Sequence, residues 1–245
     1  MAQPIISIPD AIEVFVHGFS YGKSRTYPYK PTKVGPLWVM RDEPPRKKER
    51  KIEIISHGVA PENAIQTIQE AGIGWHFLCE IHRPEDDFQA IRDQYKALGY
   101  KALSTEWLFS HDLQQIPNEQ SNPPVRLVTD DDAMQEINRL RLKSRRLMPG
   151  TRQFATWDTT TYFGRVTSIP YNDSAWVADL YVEAQHRGKG YGSALMSSLL
   201  QADKLNGVKQ SVLLASSDGA RLYPHLGYQQ IGVLQMFCPI KRPSG

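Results

Sequence analysis

Residues 183–192 read Glu183-Ala184-Gln185-His186-Arg187-Gly188-Lys189-Gly190-Tyr191-Gly192, with three glycines at alternate positions. The stretch follows an apolar, strand-like run at 175–182 and precedes a helical pattern in which Leu195 and Leu199 share one face. Glycines at such a turn let the backbone approach a ligand closely, and the free N–H groups at the start of a helix attract anions. The stretch therefore predicts a phosphate cradle, although a turn without a ligand has the same composition.

Two common nucleotide-binding motifs do not fit this spacing. The dinucleotide motif G-x-G-x-x-G requires a glycine where Ser193 stands, and the P-loop requires Gly-Lys followed by Ser or Thr after four spacers. The glycine turn is therefore interpreted as neither of these two.

The apolar periodicity around the turn predicts the element order β-α-β-β-β-α-β-α-β in the C-terminal half. Strands are expected at 125–128, 151–157, 162–169, 175–182, 208–215 and 228–237. Helices are expected at 133–142, from the glycine turn to Leu205, and at 218–225; Asn206-Gly207 is a stop signal for the second of them.

Two segments of this half resemble signatures of the Gcn5-related N-acetyltransferase (GNAT) family. Residues 179–192 resemble its acetyl-coenzyme A motif, Q/R-x-x-G-x-G/A, with Gln185, Gly188 and Gly190 at the motif positions. Residues 217–228 resemble its second signature, a short helix whose tyrosine, here Tyr223, stands four residues before Gly227 and an aromatic residue. The resemblance covers residues 125–238, about half of the chain, and implies the α/β GNAT fold with a mixed central sheet.

The resemblance also implies how the coenzyme is held. In the family, a bulge splays the strand before the glycine turn, so that its backbone pairs with the pantetheine arm like an added strand. An N–H of Val182 would face the thioester oxygen, and the amides of Arg187 through Gly192 would hold the pyrophosphate. Two interpretations stay open for the side chains of Arg187 and Lys189, which either reach other phosphates of the coenzyme or face solvent. The implied coenzyme-binding residues are Tyr181, Val182, Gln185, Arg187, Gly188, Lys189, Gly190, Tyr191 and Gly192.

Acetyl transfer to an amine requires an acid and a base. Tyr223 is the predicted acid, because a phenol stays protonated at pH 7 and can supply the departing thiolate; a core tyrosine is the alternative. Keeping an alkyl amine neutral at pH 7 costs roughly 4.6 kcal/mol, so a base helps. Asp179 is the preferred candidate base and Glu183, at the strand end, is the second; Asp179 could equally accept hydrogen bonds from loop amides.

The N-terminal half contains no such motif, but it repeats part of the second signature. Tyr95-Lys-Ala-Leu-Gly99-Tyr100 corresponds to Tyr223-Pro-His-Leu-Gly227-Tyr228 at an offset of 128 (227 minus 99), and Phe109 and Phe237 share that offset. Strands are expected at 12–19, 37–40, 52–55 and 75–81, and helices after Ala60 and at 85–98. The predicted organisation is a degenerate GNAT-like domain at 1–113, a Pro/Asn/Gln-rich linker at 114–124 and a catalytic GNAT domain at 125–245.

The loop before the first-half helix does not suit a phosphate. It reads His57-Gly-Val-Ala-Pro61-Glu62-Asn, in which Pro61 lacks an N–H and Glu62 places a negative charge where a phosphate would lie. One coenzyme per chain is therefore expected, with the first half shaping the acceptor side or covering apolar surface, and with Tyr95 serving only to pack.

Composition excludes several other classes. The 245 residues are 40% hydrophobic and 22% charged, with a formal net charge of +3 that demands no nucleic acid, and no apolar run is long enough to span a membrane. The start of the chain lacks the pattern of a secretory signal, so a cytoplasmic protein without a membrane partner is expected. Cys79 and Cys238 are interpreted as packed thiols rather than a disulfide, and no His or Cys spacing indicates a metal.

The predicted function is transfer of the acetyl group of acetyl-coenzyme A to a primary amine of a small molecule or peptide by direct attack. Two alternatives stay open: a coenzyme sensor without activity, and an enzyme for another acyl-coenzyme A. Nothing in the residues selects the acceptor.

Overall fold

The fold is described from a computed structural model, which covers residues 6–116, 124–138, 147–157 and 162–240. The helices are α1 Ile8–Lys23, α2 Pro61–Glu70, α3 Phe88–Ala97, α4 Asp131–Asn138 and α5 Tyr191–Leu205. The strands are β1 Tyr29–Val34, β2 Leu37–Asp42, β3 Ile52–His57, β4 His76–His82, β5 Tyr100–Asp112, β6 Arg126–Leu127, β7 Arg152–Trp157, β8 Tyr162–Tyr171, β9 Ser174–Val182, β10 Gln210–Ala215 and β11 Gln229–Pro239.

All of these strands form one mixed sheet, in the order β1-β2-β3-β4-β11-β5-β10-β9-β8-β7-β6. The pairs β3/β4 and β9/β10 are parallel and the others are antiparallel. The last strand of each half crosses to the other half: β11 lies between β4 and β5, and β5 lies between β11 and β10. The predicted α/β fold with a mixed central sheet is confirmed, and the two halves share its centre.

The two halves meet with internal symmetry. In the central pair, Leu108 is opposite Gly232 and Ser104 is opposite Met236, so the register repeats itself at the same offset of 128 (232 minus 104, 236 minus 108). The aromatic packing repeats as well, because Phe237 packs on Tyr95 with ring centroids 4.4 Å apart. Its counterpart Phe109 packs on Tyr223 at 5.7 Å. The offset noted in the sequence therefore relates equivalent places in the sheet.

Most of the elements predicted in the C-terminal half are present. The predicted strands at 151–157, 162–169, 175–182, 208–215 and 228–237 correspond to β7 through β11, and α5 ends at Asn206-Gly207 as expected. The predicted helix at 218–225 is shorter, a 3-10 helix at Tyr223–Leu226. The predicted helix at 133–142 begins earlier, as α4, and residues 139–142 lie outside the described residues.

The predicted strand at 12–19 is wrong, because these residues belong to α1. Their β-branched and aromatic side chains favour a strand locally, but the buried positions Ala11, Phe15 and Gly18 lie on one helix face. Ser7 caps this helix by accepting the amide of Asp10, and a proline occupies its first turn. These capping signals predict the helix better than the propensities of its residues do.

α1 joins the N-terminal half to the strands of the other half. It packs across β8, β9 and β10, and Gly18 lies so close to Trp176 that a Cβ on this glycine would be 2.2 Å from the tryptophan Cβ. Phe15 also packs on Trp176, with ring centroids 4.9 Å apart. The N-terminal half therefore covers the face of the sheet beside β9.

Some remaining predictions concern loops. Residues 117–123 of the predicted linker lie outside the described residues, while 113–115 form a 3-10 helix. The basic run at 46–51 lies in the β2–β3 loop, where Arg46 and Arg50 bind the buried Asp42. Cys79 and Cys238 are buried and unbridged, as predicted.

No described helix has the length and apolar composition needed to cross a bilayer. Among the described residues, no three His, Cys, Asp or Glu side chains converge as a metal site.

Candidate active site

β9 and β10 separate along their length and open a groove between them. They pair only from Gln210/Ser174 to Val212/Trp176; beyond that, within the described range 162–240, β9 pairs with β8 alone and β10 with β5 alone. The facing backbone edges of residues 177–182 and 213–215 are therefore open to an extended ligand that adds like a strand. The groove has a volume of about 590 Å³.

A β-bulge causes the separation. Between Ala178 and Tyr181, β9 places Asp179 and Leu180 opposite the single residue Val166 of β8. Asp179 has a φ of +58°, in the left-handed region that aspartate tolerates better than most side chains. Because the extra residue bends the strand, the segment 180–182 turns away from β10. The bulge that the GNAT resemblance implied is thus present at Asp179–Leu180.

The glycine turn closes one end of the groove. Gly188 and Gly190 both have positive φ, 72° and 80°, and Gly190 is the N-cap of α5. Free N–H groups of the first turn of α5 therefore face the groove. Arg187 donates from Nε to the backbone oxygen of Val182 at 2.9 Å, which fastens the turn to the end of β9.

Most of the residues expected to bind the coenzyme line this groove, and two do not. Those that line it are Tyr181, Val182, Arg187, Gly188, Gly190, Tyr191 and Gly192. Gln185 is exposed and donates to Glu183 at 2.6 Å instead, and Lys189 is exposed outside the lining. Sequence reasoning missed the opposite wall, which consists of Ser216, Asp218, Gly219 and Leu222, together with His186 and Ser193. The position of residues 216–219 directly after β10 is the signal that could have indicated this wall.

A second cavity of about 430 Å³ continues the groove toward the N-terminal half. It shares Leu180, Ser216 and Gly219 with the groove. Its walls come from both halves, so the expectation that the first half shapes the acceptor side is consistent with this geometry. The residues lining it are Phe15, Phe19, Glu53, Cys79, Glu106, Trp176, Val177, Ala178, Asp179, Leu180, Leu214, Ala215, Ser216, Gly219, Tyr223, Leu234 and Met236.

Tyr223 lines this cavity next to Gly219, which the groove and the cavity share. Its ring is held between Phe109 and Tyr228, with centroids 5.7 and 5.6 Å away, and the residue is 6% exposed. Its hydroxyl group makes no hydrogen bond to any residue in the described ranges. Burial raises the pKa of Tyr223 to about 12, so the phenol is protonated throughout the physiological pH range.

Tyr95, at the equivalent place in the other half, is sealed. It is fully buried, and its hydroxyl group donates to the carboxylate of Glu80 at 2.9 Å. Burial raises the pKa of Tyr95 and also that of Glu80, the latter to about 7. Ala215 takes in the second half the place that Glu80 has in the first. His76 is hydrogen-bonded to Tyr100 and Ser211 to Tyr228, so His76 and Ser211 are equivalent positions. Glu80 and Ala215 follow them at the same distance along the chain (211 minus 76 equals 215 minus 80). An alanine there leaves the hydroxyl group of Tyr223 open to the cavity.

The two candidate bases lie in different surroundings. Asp179 lines the cavity, and its carboxylate pairs with Arg25, a residue of the α1–β1 loop, at 3.5 Å. Glu183 lies beyond the end of β9, lines neither the groove nor the cavity, and accepts from Gln185. The base role of either residue stays a prediction.

Two carboxylates that sequence reasoning missed also line the cavity. Glu53, on β3, pairs with Lys23 at 2.6 Å, and Glu106, on β5, has no hydrogen bond or ion pair with a residue of the described ranges. Burial raises the pKa of both, and in Glu106 the nearby Glu53 raises it further. A glutamate within a strand was the available signal, but only the strand exchange brings β3 and β5 to the cavity that β9 also lines.

The corresponding parallel pair in the N-terminal half remains closed. β3 and β4 stay paired from Ile52/His76 to His57/Ile81, along the full length of β3. An extended ligand therefore has no open backbone edge there. A smaller cavity of about 320 Å³ at this place is lined by Glu80, His82 and Asp86, and by Pro61, the first residue of α2, which has no N–H group.

The comparisons with known proteins agree with this geometry. Residues 152–230 match the family model described as "Acetyltransferase (GNAT) domain". The matched range contains the bulge, the glycine turn and Tyr223. No curated protein is significantly similar to the chain in sequence.

Solved structures share the fold over the whole chain. A GCN5-related N-acetyltransferase from Kribbella flavida is 14% identical, with a TM-score of 0.67 over 100% of this chain and 98% of that one. A functionally unknown conserved protein from Staphylococcus epidermidis ATCC 12228 is 10% identical, with a TM-score of 0.60 over 98% and 100%. A GCN5-related N-acetyltransferase from Sphaerobacter thermophilus is 16% identical, with a TM-score of 0.56 over 85% and 78%.

Fold and family model together define the class: the chain carries a GNAT domain in its C-terminal half, within a GNAT-like fold that extends over both halves. The GNAT domain at residues 152–230 supports acyltransferase activity.

Proposed function

We propose that the protein transfers the acetyl group of acetyl-coenzyme A to a primary amine by direct attack. The observation that carries the proposal is the continuity of the open β9/β10 groove with a cavity that Tyr223 lines, where no described residue hydrogen-bonds the Tyr223 hydroxyl group. The pantetheine arm would pair with the open edge of β9, and the amides of 187–192 would hold the pyrophosphate. The acetyl group would then reach the cavity.

Tyr223 assists the departing sulfur by hydrogen bonding rather than by complete proton transfer. A thiol has a pKa of about 8.5, so full transfer from a phenol of pKa about 12 is uphill by about 5 kcal/mol. A hydrogen bond to the sulfur strengthens as negative charge develops on it, which is the condition for stabilising the transition state. The proton that ends on the thiol can come from the attacking nitrogen.

Direct attack is favoured over an acyl-cysteine intermediate. Cys79 is the one thiol among the residues lining the cavity, and burial raises its pKa well above the usual range. A neutral, buried thiol is a poor nucleophile. The amine therefore attacks the thioester carbon itself.

The proposal includes one coenzyme site per chain and a cytoplasmic protein. It treats residues 1–113 as a degenerate GNAT-like domain joined by the linker at 114–124 to the catalytic domain at 125–245. The unbroken β3/β4 pairing supports a single site, and the symmetric register of β5 and β11 supports the duplication.

Gly190→Glu tests the coenzyme site. The new carboxylate would occupy the predicted pyrophosphate position, so binding of acetyl-coenzyme A, measured by calorimetric titration, should be lost. Gly207→Glu is the matched control, because Gly207 has nearly the same φ, 82°, at the other end of α5, with open space around it. Wild-type affinity in Gly190→Glu would show that the glycine turn binds no coenzyme.

Turnover separates the enzyme from its alternatives. Release of free thiol from acetyl-coenzyme A is measured with a panel of amines and repeated with longer acyl-coenzyme A donors. Binding without thiol release for every amine would indicate a sensor, and release only with another donor would replace acetyl by that acyl group.

A further inference from the structure

The second cavity, which we call the acceptor cavity, contains one carboxylate that no cationic side chain of the described residues neutralises. Three carboxylates line it, and two of them are paired: Glu53 with Lys23 at 2.6 Å, and Asp179 with Arg25 at 3.5 Å. The third, Glu106, has no cationic partner within the described residues. A cation entering the cavity would supply the missing charge, because burying an unpaired carboxylate costs free energy that an ion pair recovers.

The rest of the cavity wall is apolar and in part aromatic. Phe15, Phe19 and Trp176 form one side, and Leu234 and Met236 lie on another. The volume of about 430 Å³ lies in the lower part of the range of small-molecule sites, about 300–1,000 Å³. These walls fit the apolar body of a small molecule. Among the described residues that line the cavity there is no Lys, Arg or His to pair with a second, negative group, since Lys23 and Arg25 already pair with Glu53 and Asp179.

We propose that the acceptor is a small primary amine with an apolar or aromatic body and no carboxylate, whose ammonium group binds to Glu106. This inference rests on the proposed acetyl transfer and names its acceptor class. Glu106 lies on β5, so the N-terminal half supplies the carboxylate that selects the acceptor, while the C-terminal half holds the coenzyme.

Glu106 then acts as the catalytic base. The ammonium gives its first proton to Glu106, and the neutral nitrogen attacks the thioester carbon. The C–N bond forms and the C–S bond breaks. The second proton of the nitrogen goes to the coenzyme sulfur, which leaves as the thiol, and the proton on Glu106 passes to solvent as the amide product leaves. The raised pKa of Glu106 makes its carboxylate a stronger base than an exposed glutamate.

A matched pair of acceptors tests the class. Phenethylamine and phenylalanine carry the same ring and amino group, and only phenylalanine has a carboxylate. We expect kcat/KM, measured by thiol release, to be at least about tenfold higher for phenethylamine, because the carboxylate of phenylalanine would be buried beside Glu106.

Glu106→Gln tests the residue, with Glu70→Gln, an exposed position on α2, as the control. Loss of a charged partner should lower kcat/KM for phenethylamine about 10- to 100-fold and reduce the preference over phenylalanine, while Glu70→Gln changes neither. Thermal unfolding checks that Glu106→Gln folds, and Glu106→Asp, which keeps the charge, should restore part of the activity.

Three results would overturn the inference. The first is equal or better turnover of phenylalanine, and the second is unchanged kcat/KM in Glu106→Gln. In the third, other amines of the panel react and phenethylamine does not, which refutes the acceptor class and leaves acetyl transfer intact. If no amine reacts although the coenzyme binds, the proposed function fails, and this inference fails with it.

Discussion

The equivalent tyrosines, Tyr223 and Tyr95, should respond in opposite ways to the loss of their hydroxyl groups. In Tyr223→Phe the ring still packs on Phe109, and no hydrogen bond to a described residue is lost, so the free energy of unfolding should change by less than about 0.5 kcal/mol. The transition state loses a hydrogen bond to a charged sulfur, worth about 1.5–3 kcal/mol. At 1.36 kcal/mol per tenfold, kcat should fall by about 10- to 10²-fold, with coenzyme affinity within a few fold.

Tyr95→Phe should lower stability and leave turnover nearly unchanged. It removes the donor 2.9 Å from the carboxylate of Glu80, and an unsatisfied buried acceptor costs about 1–3 kcal/mol of unfolding free energy. Thiol-release kinetics and urea denaturation of both variants measure the two effects. Equal losses of kcat in the two variants, or a loss of stability without loss of kcat in Tyr223→Phe, would refute the division of roles between the halves.

Three further predictions concern the packing and electrostatics around the site. Gly18→Ala should destabilise the protein by about 1–3 kcal/mol in urea denaturation, because the new Cβ would meet Trp176 at 2.2 Å and this outweighs the gain of about 0.5–1 kcal/mol in helix propensity. Gly22→Ala, on the same helix and 3.3 Å from the end of a flexible side chain, should change stability by no more than about 1 kcal/mol, and equal effects would contradict the close contact. Ala215→Glu should reproduce the sealed arrangement of the other half and reduce kcat with little effect on coenzyme affinity; thiol release at the wild-type rate would show that an open hydroxyl group is not required. Burial raises the pKa of Glu80 from 4.5 to about 7, so the unfolded chain loses this proton at a lower pH than the folded protein does. The free energy of unfolding should therefore fall by about 3 kcal/mol as the pH rises from about 4.5 to 7. Glu80→Gln should remove this decrease, and an identical pH profile of the two proteins in urea denaturation would contradict the shift.

The sequence alone predicts half of the residues that line the β9/β10 groove, because these residues are close together in the chain. The strand, the glycine turn and the helix start lie within residues 175–205, and Gly190 caps α5 where the motif places it. Tyr223 follows from the second signature in the same way. Local motifs therefore identified the groove, except that its far wall after β10 was missed.

The acceptor side could not be predicted, because it depends on contacts between distant residues. β5 pairs with β10 and β11 rather than with the strands of its own half, and this exchange brings Glu106 to the cavity that residues of β9 also line. The strand propensities of α1 also concealed the helix that supplies Phe15 and Phe19. Periodicity reports which face of an element is buried, but not which other element packs on that face. It therefore shows neither the strand exchange nor the cavity that these side chains line.

The central claim is that the C-terminal half holds one coenzyme and both halves enclose its acetyl group. An experimental structure of the protein with acetyl-coenzyme A tests it most directly. The account predicts one molecule per chain, with pantetheine between β9 and β10 and the acetyl group beside Tyr223, facing the cavity that contains Glu106. A coenzyme between β3 and β4, or an acetyl group directed away from that cavity, would contradict it.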